Sequence, residues 1–199
     1  IGSFALSAQN FTTATNSNNT AVGYAAGAAV TTGLSNTLIG ASAGDALTDA
    51  DNNVAIGIGA LGADTLGSRS IAIGENVLAN QNFTTATLSY NTVVGAAAGF
   101  AVTTGTLNTF VGGLAGDANT TASGNTALGY ESLGSTTTGA SNAAGGAYSL
   151  RDNTTGANNT AFGYFAAILT TTGHDNTALG RSALQNNTTG YSNVALGGG

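Results

Sequence analysis

Few side chains in this sequence could do chemistry, and they are widely separated. The one histidine, His174, stands beside Asp175 in a segment that reads as a turn, and no serine stands in a hydrolase motif. A catalytic triad needs a nucleophile, a base and an orienting acid within hydrogen-bond reach of one another. Cysteine is absent, which excludes disulfides and thiolate metal sites. We therefore predict that the protein is not an enzyme and binds no cofactor.

One group of carboxylates has the composition of a metal site. Asp45, Asp49 and Asp51, followed by Asn52 and Asn53, place several oxygen atoms in one short segment. Such oxygen ligands suit Ca²⁺. Neighbouring segments do not repeat these aspartates, however, and the glycine-rich nonapeptide signature of calcium-binding repeats is absent. We interpret the segment as a solvated turn and keep calcium binding as the alternative.

Most of the remaining residues belong to a 17-residue repeat, seen clearly in Asn176–Ser192. Each unit opens with a pentad such as Asn-Thr-Ala-Leu-Gly and closes with a turn such as Asn-Thr-Thr-Gly. The pentad glycines from Gly23 to Gly197 follow one another at steps of 17 residues, except for one step of 21 between Gly74 and Gly95. Fixed periods of this kind are the signature of a solenoid. Positions are numbered below as columns, starting from the asparagine of each unit.

Composition limits the partners of this array. Three arginines and no lysine cannot neutralise many phosphates, so nucleic acid is not an expected partner. The net charge of -6 is spread over scattered carboxylates and favours solubility. No apolar run approaches the roughly 20 residues of a membrane span. The 42% of hydrophobic residues recur in fixed columns, which argues against disorder.

The pentad predicts a short β-strand that stacks in parallel on the next pentad. Column two is mostly threonine and column four is aliphatic, so both suit one face of a strand, while column three points to the other face. The chain is thus expected to be all-β, a parallel β-solenoid (β-roll) of about 11–12 coils that forms a single array over residues 1–199. The small apolar residues of columns eight and nine predict a second short strand in each coil.

Column one predicts a ladder of stacked amides. Asparagines in stacked parallel strands can hydrogen-bond along the axis, and each bond contributes roughly 0.5–1.5 kcal/mol. Ser70 is the exception among the units. The predicted ladder residues are Asn19, Asn36, Asn53, Asn91, Asn108, Asn125, Asn142, Asn159, Asn176 and Asn193.

Both faces of the predicted strand are apolar, whereas the interior of one solenoid covers only one face. We expect column three to be the face left outside and to be covered by a second copy of the chain. Exposed alanine in column three is the alternative, because it costs little. A homotrimer or another self-association is therefore expected.

A longer repeat lies over the 17-residue one. The sequence Gln-Asn-Phe-Thr-Thr-Ala-Thr occurs at Gln9–Thr15 and again at Gln81–Thr87, which indicates duplication of a block of four coils. Each 21-residue step should bulge from the rod and place Phe11 and Phe83 in equivalent loops, where they could contact a ligand. Columns six and seven carry further rings, for which we favour interface packing over stacking on carbohydrate. These rings are Tyr24, Tyr130, Tyr148, Tyr164 and Phe165.

Two groups of fibrous proteins resemble this array. Ser70–Asn76 (SIAIGEN) and Asn53–Gly57 (NVAIG) resemble the head repeats of trimeric autotransporter adhesins. Asn125–Leu133 (NTALGYESL) and Asn176–Gly190 resemble the NTAxG arrays of phage tail fibres and large surface-fibre proteins. The resemblance implies a left-handed parallel β-roll with three chains around a common axis. Adhesin-head repeats are shorter than 17 residues, so the shape of the coil is expected to differ.

Two functions follow from these expectations. The first is a structural or adhesive segment that builds and spaces an extracellular, cell-surface or virion fibre, with copies of itself as partners and a host-surface glycan or protein as receptor. The array begins and ends inside a pentad, so further repeats or end-to-end stacking are expected. The alternative is an ice-binding solenoid built on the threonine columns two and thirteen. A polysaccharide hydrolase is disfavoured, since no carboxylate pair recurs at corresponding positions.

Overall fold

The computed structural model describes residues 1–198 and consists of short parallel strands joined by turns. Eleven strands form one sheet, and each pairs in parallel and in register with the strand of the next repeat. Two shorter strands form a second parallel pair. The described residues contain no helix. The large sheet comprises β1 (Thr20–Val22), β2 (Thr37–Ile39), β3 (Val54–Ile56), β5 (Ile71–Ile73), β7 (Thr92–Val94), β8 (Thr109–Val111), β9 (Thr126–Leu128), β10 (Ala143–Gly145), β11 (Thr160–Phe162), β12 (Thr177–Leu179) and β13 (Val194–Leu196), and the small one β4 (Gly67–Ser68) and β6 (Thr87–Leu88).

The predicted all-β parallel solenoid with a 17-residue repeat is thereby confirmed. The eleven strands of the large sheet close about ten full turns, slightly fewer than the expected number of coils. The residues before β1 add a coil of turns, in which the Ile1 carbonyl accepts from the Gly23 amide and the Ser3 carbonyl from the Ala25 amide. At the strand spacing of about 4.8 Å the ten steps make a rod roughly 48 Å long.

The expectation that column three faces outward is wrong. Column three lines the interior of the coil, where Leu38, Ala55 and Phe110 are fully buried. Columns two and four point outward instead, and Val22 and Val111 in column four are about two-fifths exposed. The assignment of the faces was inverted because size decides it: the narrow coil accepts the mostly alanine column, while the larger aliphatic side chains stay outside.

The large residues of column three fit the interior because column nine is glycine in the same coils. Leu38 packs against Gly44 of its own coil and Gly27 of the preceding coil, where an added Cβ would lie 2.8 and 2.6 Å from its methyl carbons. Phe110 likewise packs over Gly116, 2.6 Å from the position of an added Cβ. Four coils with alanine in column three carry a buried leucine in column nine, whereas the coils of Ala21 and Ala161 have Gly27 and Ala167 there. The buried leucines are Leu61, Leu78, Leu133 and Leu150. Where the two columns alternate in this way, the core volume of successive coils stays nearly constant.

Columns six to eleven form consecutive turns, so the predicted second strand is wrong. Columns seven and nine have positive φ in every regular coil, for example 54° at Ala25 and 59° at Gly27. Alternating left- and right-handed residues cannot continue an extended strand. Hydrogen bonds within the coil, such as Ala28 N–H to the Ala25 carbonyl at 3.1 Å, alternate with bonds to the next coil, such as Gly27 N–H to the Ala43 carbonyl at 2.9 Å.

Candidate interaction surfaces

The outward face of the large sheet is an apolar stripe along the whole rod. Column two contributes mainly threonine, and column four contributes aliphatic or aromatic side chains that are exposed or half-buried. We call this surface the strand face. Water-exposed apolar stripes of this length mark interaction sites in soluble proteins. Its column-four residues are Val22, Ile39, Ile56, Ile73, Val94, Val111, Leu128, Phe162, Leu179 and Leu196, interrupted only by Gly145.

The column-one asparagines join successive coils through the backbone. The side-chain Oδ1 of Asn108 accepts from the backbone N–H of Asn125 at 2.9 Å, and its Nδ2 donates to the Ala122 carbonyl of its own coil at 2.9 Å. The same pair of bonds recurs along the rod, from Asn36 to Asn176. Direct amide-to-amide bonds occur at three steps, for example Asn176 Nδ2 to Asn159 Oδ1 at 3.0 Å. The column therefore fixes both the coil corner and the stacking register.

A buried polar network replaces the ladder where column one is serine. The Gln81 amide donates from Nε2 to the hydroxyl of Ser70 at 2.8 Å and to Asp64 Oδ2 at 2.6 Å, and its Oε1 accepts from Asn91 Nδ2 at 2.8 Å. The hydroxyls of Ser70 and Ser89 lie 2.6 Å apart. All five residues are fully buried. The 21-residue coil therefore supplies Gln81 and Ser89 in place of the missing asparagine amide.

Asp64 is the buried carboxylate of this network. Its Oδ1 accepts from the backbone N–H groups of Gly67 and Phe83 at 3.1 and 3.0 Å. Burial raises the pKa of Asp64 above its usual 3.8, and the hydrogen bonds from Gln81 and the two amides offset part of that rise. No charged partner faces it among these contacts, so the folded protein holds the proton of Asp64 more tightly than the unfolded chain does.

We expect Asp64 to make unfolding free energy depend on pH. A carboxyl whose pKa is raised by folding stabilises the folded state below its unfolded pKa, and this contribution is lost as pH rises through the folded pKa. The wild type should therefore lose stability relative to Asp64→Asn as pH increases from about 3.8. Urea unfolding of both proteins over a pH series measures the difference. A gap between them that widens in the opposite direction would contradict the raised pKa.

Column twelve is apolar in three coils and is polar in every coil from that of Asn119 onward. Val30, Leu47 and Val102 fill this interior column in three coils, whereas Asn119 occupies it in the next one. Asn119 is 1% exposed, and neither its Nδ2 nor its Oδ1 has a hydrogen-bond partner among the described residues. Desolvating an unpaired amide is costly, at about 1–3 kcal/mol.

Replacing Asn119 by valine should therefore stabilise the protein by about 1 kcal/mol or more. The substitution copies Val102, which is fully buried in the same column one coil earlier. Thermal and urea unfolding measure the change. Asn153→Val serves as the control, because Asn153 Nδ2 donates to the Gly156 carbonyl at 3.0 Å and this bond would be lost. Equal stabilisation by both substitutions would show that hydrogen bonding does not distinguish the two sites.

The other chemistry-bearing residues lie at the surface and remain separate. His174 Nδ1 lies 2.7 Å from Asp175 Oδ2, and the His174 ring stacks on Tyr191 with centroids 5.1 Å apart. The hydrogen bond with His174 lowers the pKa of Asp175. His174 and its neighbours thus form an exposed turn.

Two of the three aspartates considered for calcium, Asp49 and Asp51, accept hydrogen bonds from the preceding coil. Asp51 Oδ1 accepts from the backbone N–H of Leu34 in the preceding coil at 2.7 Å. Asp49 Oδ1 accepts from the Thr32 hydroxyl of that coil, also at 2.7 Å. Over residues 1–198, no three His, Cys, Asp or Glu residues lie close enough together to hold a metal ion. Within the same range, no helix could cross a bilayer.

The two phenylalanines of the 21-residue coils differ in exposure. Phe83 is 5% exposed, and its ring packs over Gly67, where an added Cβ would lie 2.7 Å from Cδ2. Phe11, in the N-terminal coil, is half-buried. The expectation that both rings are presented in loops as ligand contacts is therefore wrong for Phe83, because the preceding coil offers Gly67 and Asp64 to receive it.

A denser group of rings lies on three consecutive coils nearer the C-terminus. Tyr148 contacts Tyr130, Tyr164 and Phe165, with ring centroids 5.6, 6.0 and 5.3 Å away. We call these four residues the ring cluster. A groove of about 360 Å³ lies beside it, lined chiefly by polar side chains. Its polar lining comprises Asp117, Glu131, Ser135, Arg151 and Asp152.

The ring cluster and the groove were not predicted to form one surface. A separation of 17 residues places Tyr130 and Glu131 beside Tyr148 in space, and Arg151 Cζ lies 5.9 Å from the Tyr148 ring. The concentration of rings in the last units was visible in the sequence. The accompanying groove was not visible, since it depends on how columns seven, ten and eleven of three coils are turned.

Comparison with protein-family models, with curated proteins and with solved structures gave no match to this chain.

Proposed function

We propose that this protein is a non-enzymatic structural segment of an extracellular, cell-surface or virion fibre, in which copies of the chain associate through the strand face. The observation that carries the proposal is the apolar stripe of column four, which follows the rod over ten turns. A stripe this regular matches a second copy with the same 17-residue period. Each turn of one chain then meets the equivalent turn of another.

Three parallel chains around one axis are the arrangement we propose. In that assembly each strand face packs toward the axis, and threonine methyls and aliphatic side chains leave water together. The segment would space or present receptor-binding parts, as fibre and adhesin shafts do. Stacking of rods end to end stays a prediction alongside it.

The assembly is tested by substitution on the strand face. Val111→Arg with Leu128→Arg places two charges on adjacent strands of the stripe, where about two-fifths of each native side chain is exposed in one chain. We expect the wild type to have three times the mass of one chain by light scattering, and the double variant to be monomeric, because burying the charges in an apolar interface is unfavourable.

Thr121→Arg with Thr138→Arg is the matched control. Both threonines are exposed. Thr121 lies in the coil of Val111 and Thr138 in the coil of Leu128, but both belong to column fourteen, away from the strand face. This variant should keep the mass of the wild type. A monomeric wild type, or a double Val111 and Leu128 variant that stays assembled, would remove the proposed interface.

Ice binding is the second candidate, and one observation favours it. Column two is threonine in seven strands, and these threonines lie on the outer face of a regular parallel sheet. Against it, threonine hydroxyls of column thirteen already donate hydrogen bonds within the protein. Those of Thr31 and Thr120 donate to carbonyls of the following coil at 3.2 and 3.0 Å. Bulky Phe162 also interrupts the face. Thermal hysteresis in a solution of the wild type would support ice binding over the fibre proposal.

A further inference from the structure

The ring cluster presents its aromatic surface to solvent. Tyr130 and Tyr164 are each 45% exposed, and Tyr164 packs on Phe165 with centroids 4.0 Å apart. The rings brace one another across three coils, so they offer a rigid surface before any ligand arrives. Rigid aromatic side chains lose little conformational freedom on binding.

The groove adjoins the cluster through Glu131 and Arg151, although none of the four rings lines it. Glu131 follows Tyr130, and its carboxylate raises the pKa of the Tyr130 hydroxyl. Arg151 spans the boundary, since its guanidinium lies 5.9 Å from the Tyr148 ring and bonds to Asp152 through Nε at 2.7 Å and Nη2 at 3.1 Å. A concave polar site bordered by rings combines the two features common to small-ligand sites.

The duplicated block provides an internal comparison. Earlier coils lack these rings: Ile58 and Asn76 of the first block correspond to Tyr130 and Tyr148, and Ala96 and Ala97 of the second block correspond to Tyr164 and Phe165. They also carry Gly59 and Ala79 where the groove has Glu131 and Arg151. Asp45 corresponds to Asp117 in both sequence and place. A solenoid coil thus folds without Glu131, Arg151 and the ring pair Tyr148 and Phe165, which are features of this part of the rod.

The charge of the groove selects against acidic ligands. Asp117, Glu131 and Asp152 face one arginine, and Arg151 is already paired with Asp152. Burial and the neighbouring Glu131 raise the pKa of Asp117, which indicates that no cation compensates it. The remaining carboxylate oxygens are acceptors for hydroxyl or N–H donors.

The backbone around the groove offers nothing to an extended peptide. The N–H groups of Glu131, Leu133 and Ser135 donate to the carbonyls of Gly113, Ser149 and Arg151 in neighbouring coils. Strand addition needs a free edge with unpaired backbone groups. Recognition must therefore use the rings and the carboxylates.

From this arrangement we propose that the ring cluster and the groove form a binding site for a neutral saccharide. The apolar C–H face of a sugar ring stacks on Tyr164 and Tyr130, while its hydroxyls donate to Glu131 and Asp117 in the groove. Columns six, seven, ten and eleven supply all of these residues, and none lies on the strand face. The site is therefore separate from the surface proposed for self-association.

Titration of the full chain with defined oligosaccharides tests the proposal. The probes are cellohexaose, maltohexaose, laminarihexaose, mannohexaose and chitohexaose as neutral sugars, with hexagalacturonate as an acidic one and hexalysine as a basic peptide. We expect at least one neutral sugar to bind with Kd of about 1 mM or tighter by calorimetry, and hexagalacturonate to bind more weakly. Tyr164→Ala and Glu131→Gln should each weaken that binding about fivefold or more.

Tyr90→Ala is the matched control. Tyr90 is 46% exposed and its ring centroid lies 5.6 Å from Arg69 Cζ, but it is not part of the ring cluster and does not line the groove. Its replacement should leave sugar binding unchanged. The proposal is overturned if none of the neutral sugars binds, if hexalysine binds instead, or if Tyr90→Ala weakens binding as much as Tyr164→Ala. Circular dichroism of each variant checks that the solenoid is retained, and the mass of the protein plays no part in these outcomes.

Discussion

Alanine at Gly112 is expected to destabilise the protein by about 3 kcal/mol or more. Gly112 closes the pentad of its coil with φ of 136°, a region that residues with a Cβ rarely enter. An added Cβ would lie 2.6 Å from the carbonyl oxygen of Gly129 in the next coil. The clash is with backbone, so no side-chain rotation can relieve it, and the two coils must separate.

Gly113, the next residue, is the matched control. Its φ lies outside the left-handed region, and an added Cβ would lie 3.5 Å from Cδ2 of Tyr130, an ordinary contact. Gly113→Ala should change stability by no more than about 0.5 kcal/mol. Comparing the two variants therefore shows whether the loss of stability is specific to the column-five glycine or follows from any Gly→Ala substitution in this segment.

Urea unfolding followed by far-ultraviolet circular dichroism measures both variants. Solenoids can unfold in parts, so hydrogen exchange at β8 and β9 should locate the loss in Gly112→Ala to those two strands. Equal stability of the two variants would show that the pentad glycines are not required for close stacking.

The sequence was sufficient to predict the strands and their register. Pentads such as Asn53–Gly57 recur with an apolar pattern that only stacked strands explain, and each becomes a three-residue strand paired with the next. The stack is specified because a shift of even one residue would move Ala55 and Ile56 to the wrong faces. Repetition made this prediction stronger than any single segment could.

The faces of the strand could not be read from polarity alone. Columns two, three and four all accept apolar residues, so the pattern lacks the alternation that normally identifies an interior. Volume was the missing criterion. The pairing of Leu38 with Gly44, against Ala127 with Leu133, was present in the sequence and would have placed column three inside.

The turns of columns six to eleven were missed for a different reason. Positive φ favours glycine, yet Tyr148 and Phe165 adopt φ of 61° in column seven. Coil-to-coil hydrogen bonds, such as that from Tyr148 N–H to the Tyr130 carbonyl at 2.9 Å, hold these residues in a conformation that their types disfavour. Local propensity therefore gave no signal of the corner that turns the rings toward the groove.

Ser70, the four-residue insertion and the polar residues Asp64 and Gln81 are related departures from the repeat. Ser70 breaks the asparagine column in the same coil that gains four residues, and Asp64 and Gln81 are polar in a column occupied elsewhere by Val30 and Leu47. Each departure is unremarkable by itself. Together they form one network, because Gln81 contacts both Ser70 and Asp64.

Alanine at Asn125 is expected to cost about 2–5 kcal/mol of unfolding free energy. Asn125 is fully buried; its Nδ2 donates to the Gly139 carbonyl at 2.8 Å and its Oδ1 accepts from the Asn142 N–H at 2.8 Å. Removing the amide leaves both backbone groups buried without a partner. Asn80→Ala is the control, since its exposed amide also donates to another coil, to Phe100 at 2.9 Å, and water can replace that bond.

Asn125→Ser tests whether serine is tolerated throughout column one or only at position 70. Serine is tolerated at position 70 because Gln81 Nε2 and the Ser89 hydroxyl reach it at 2.8 and 2.6 Å. The coil of Asn125 has no inserted residues to supply such partners, so Asn125→Ser should be nearly as unstable as Asn125→Ala in urea unfolding. Gln81→Ala should destabilise the coil of Ser70 in turn, because it leaves the Asn91 amide and Asp64 without their shared partner. If Asn125→Ser were as stable as the wild type, the asparagine would not be what holds successive coils in register.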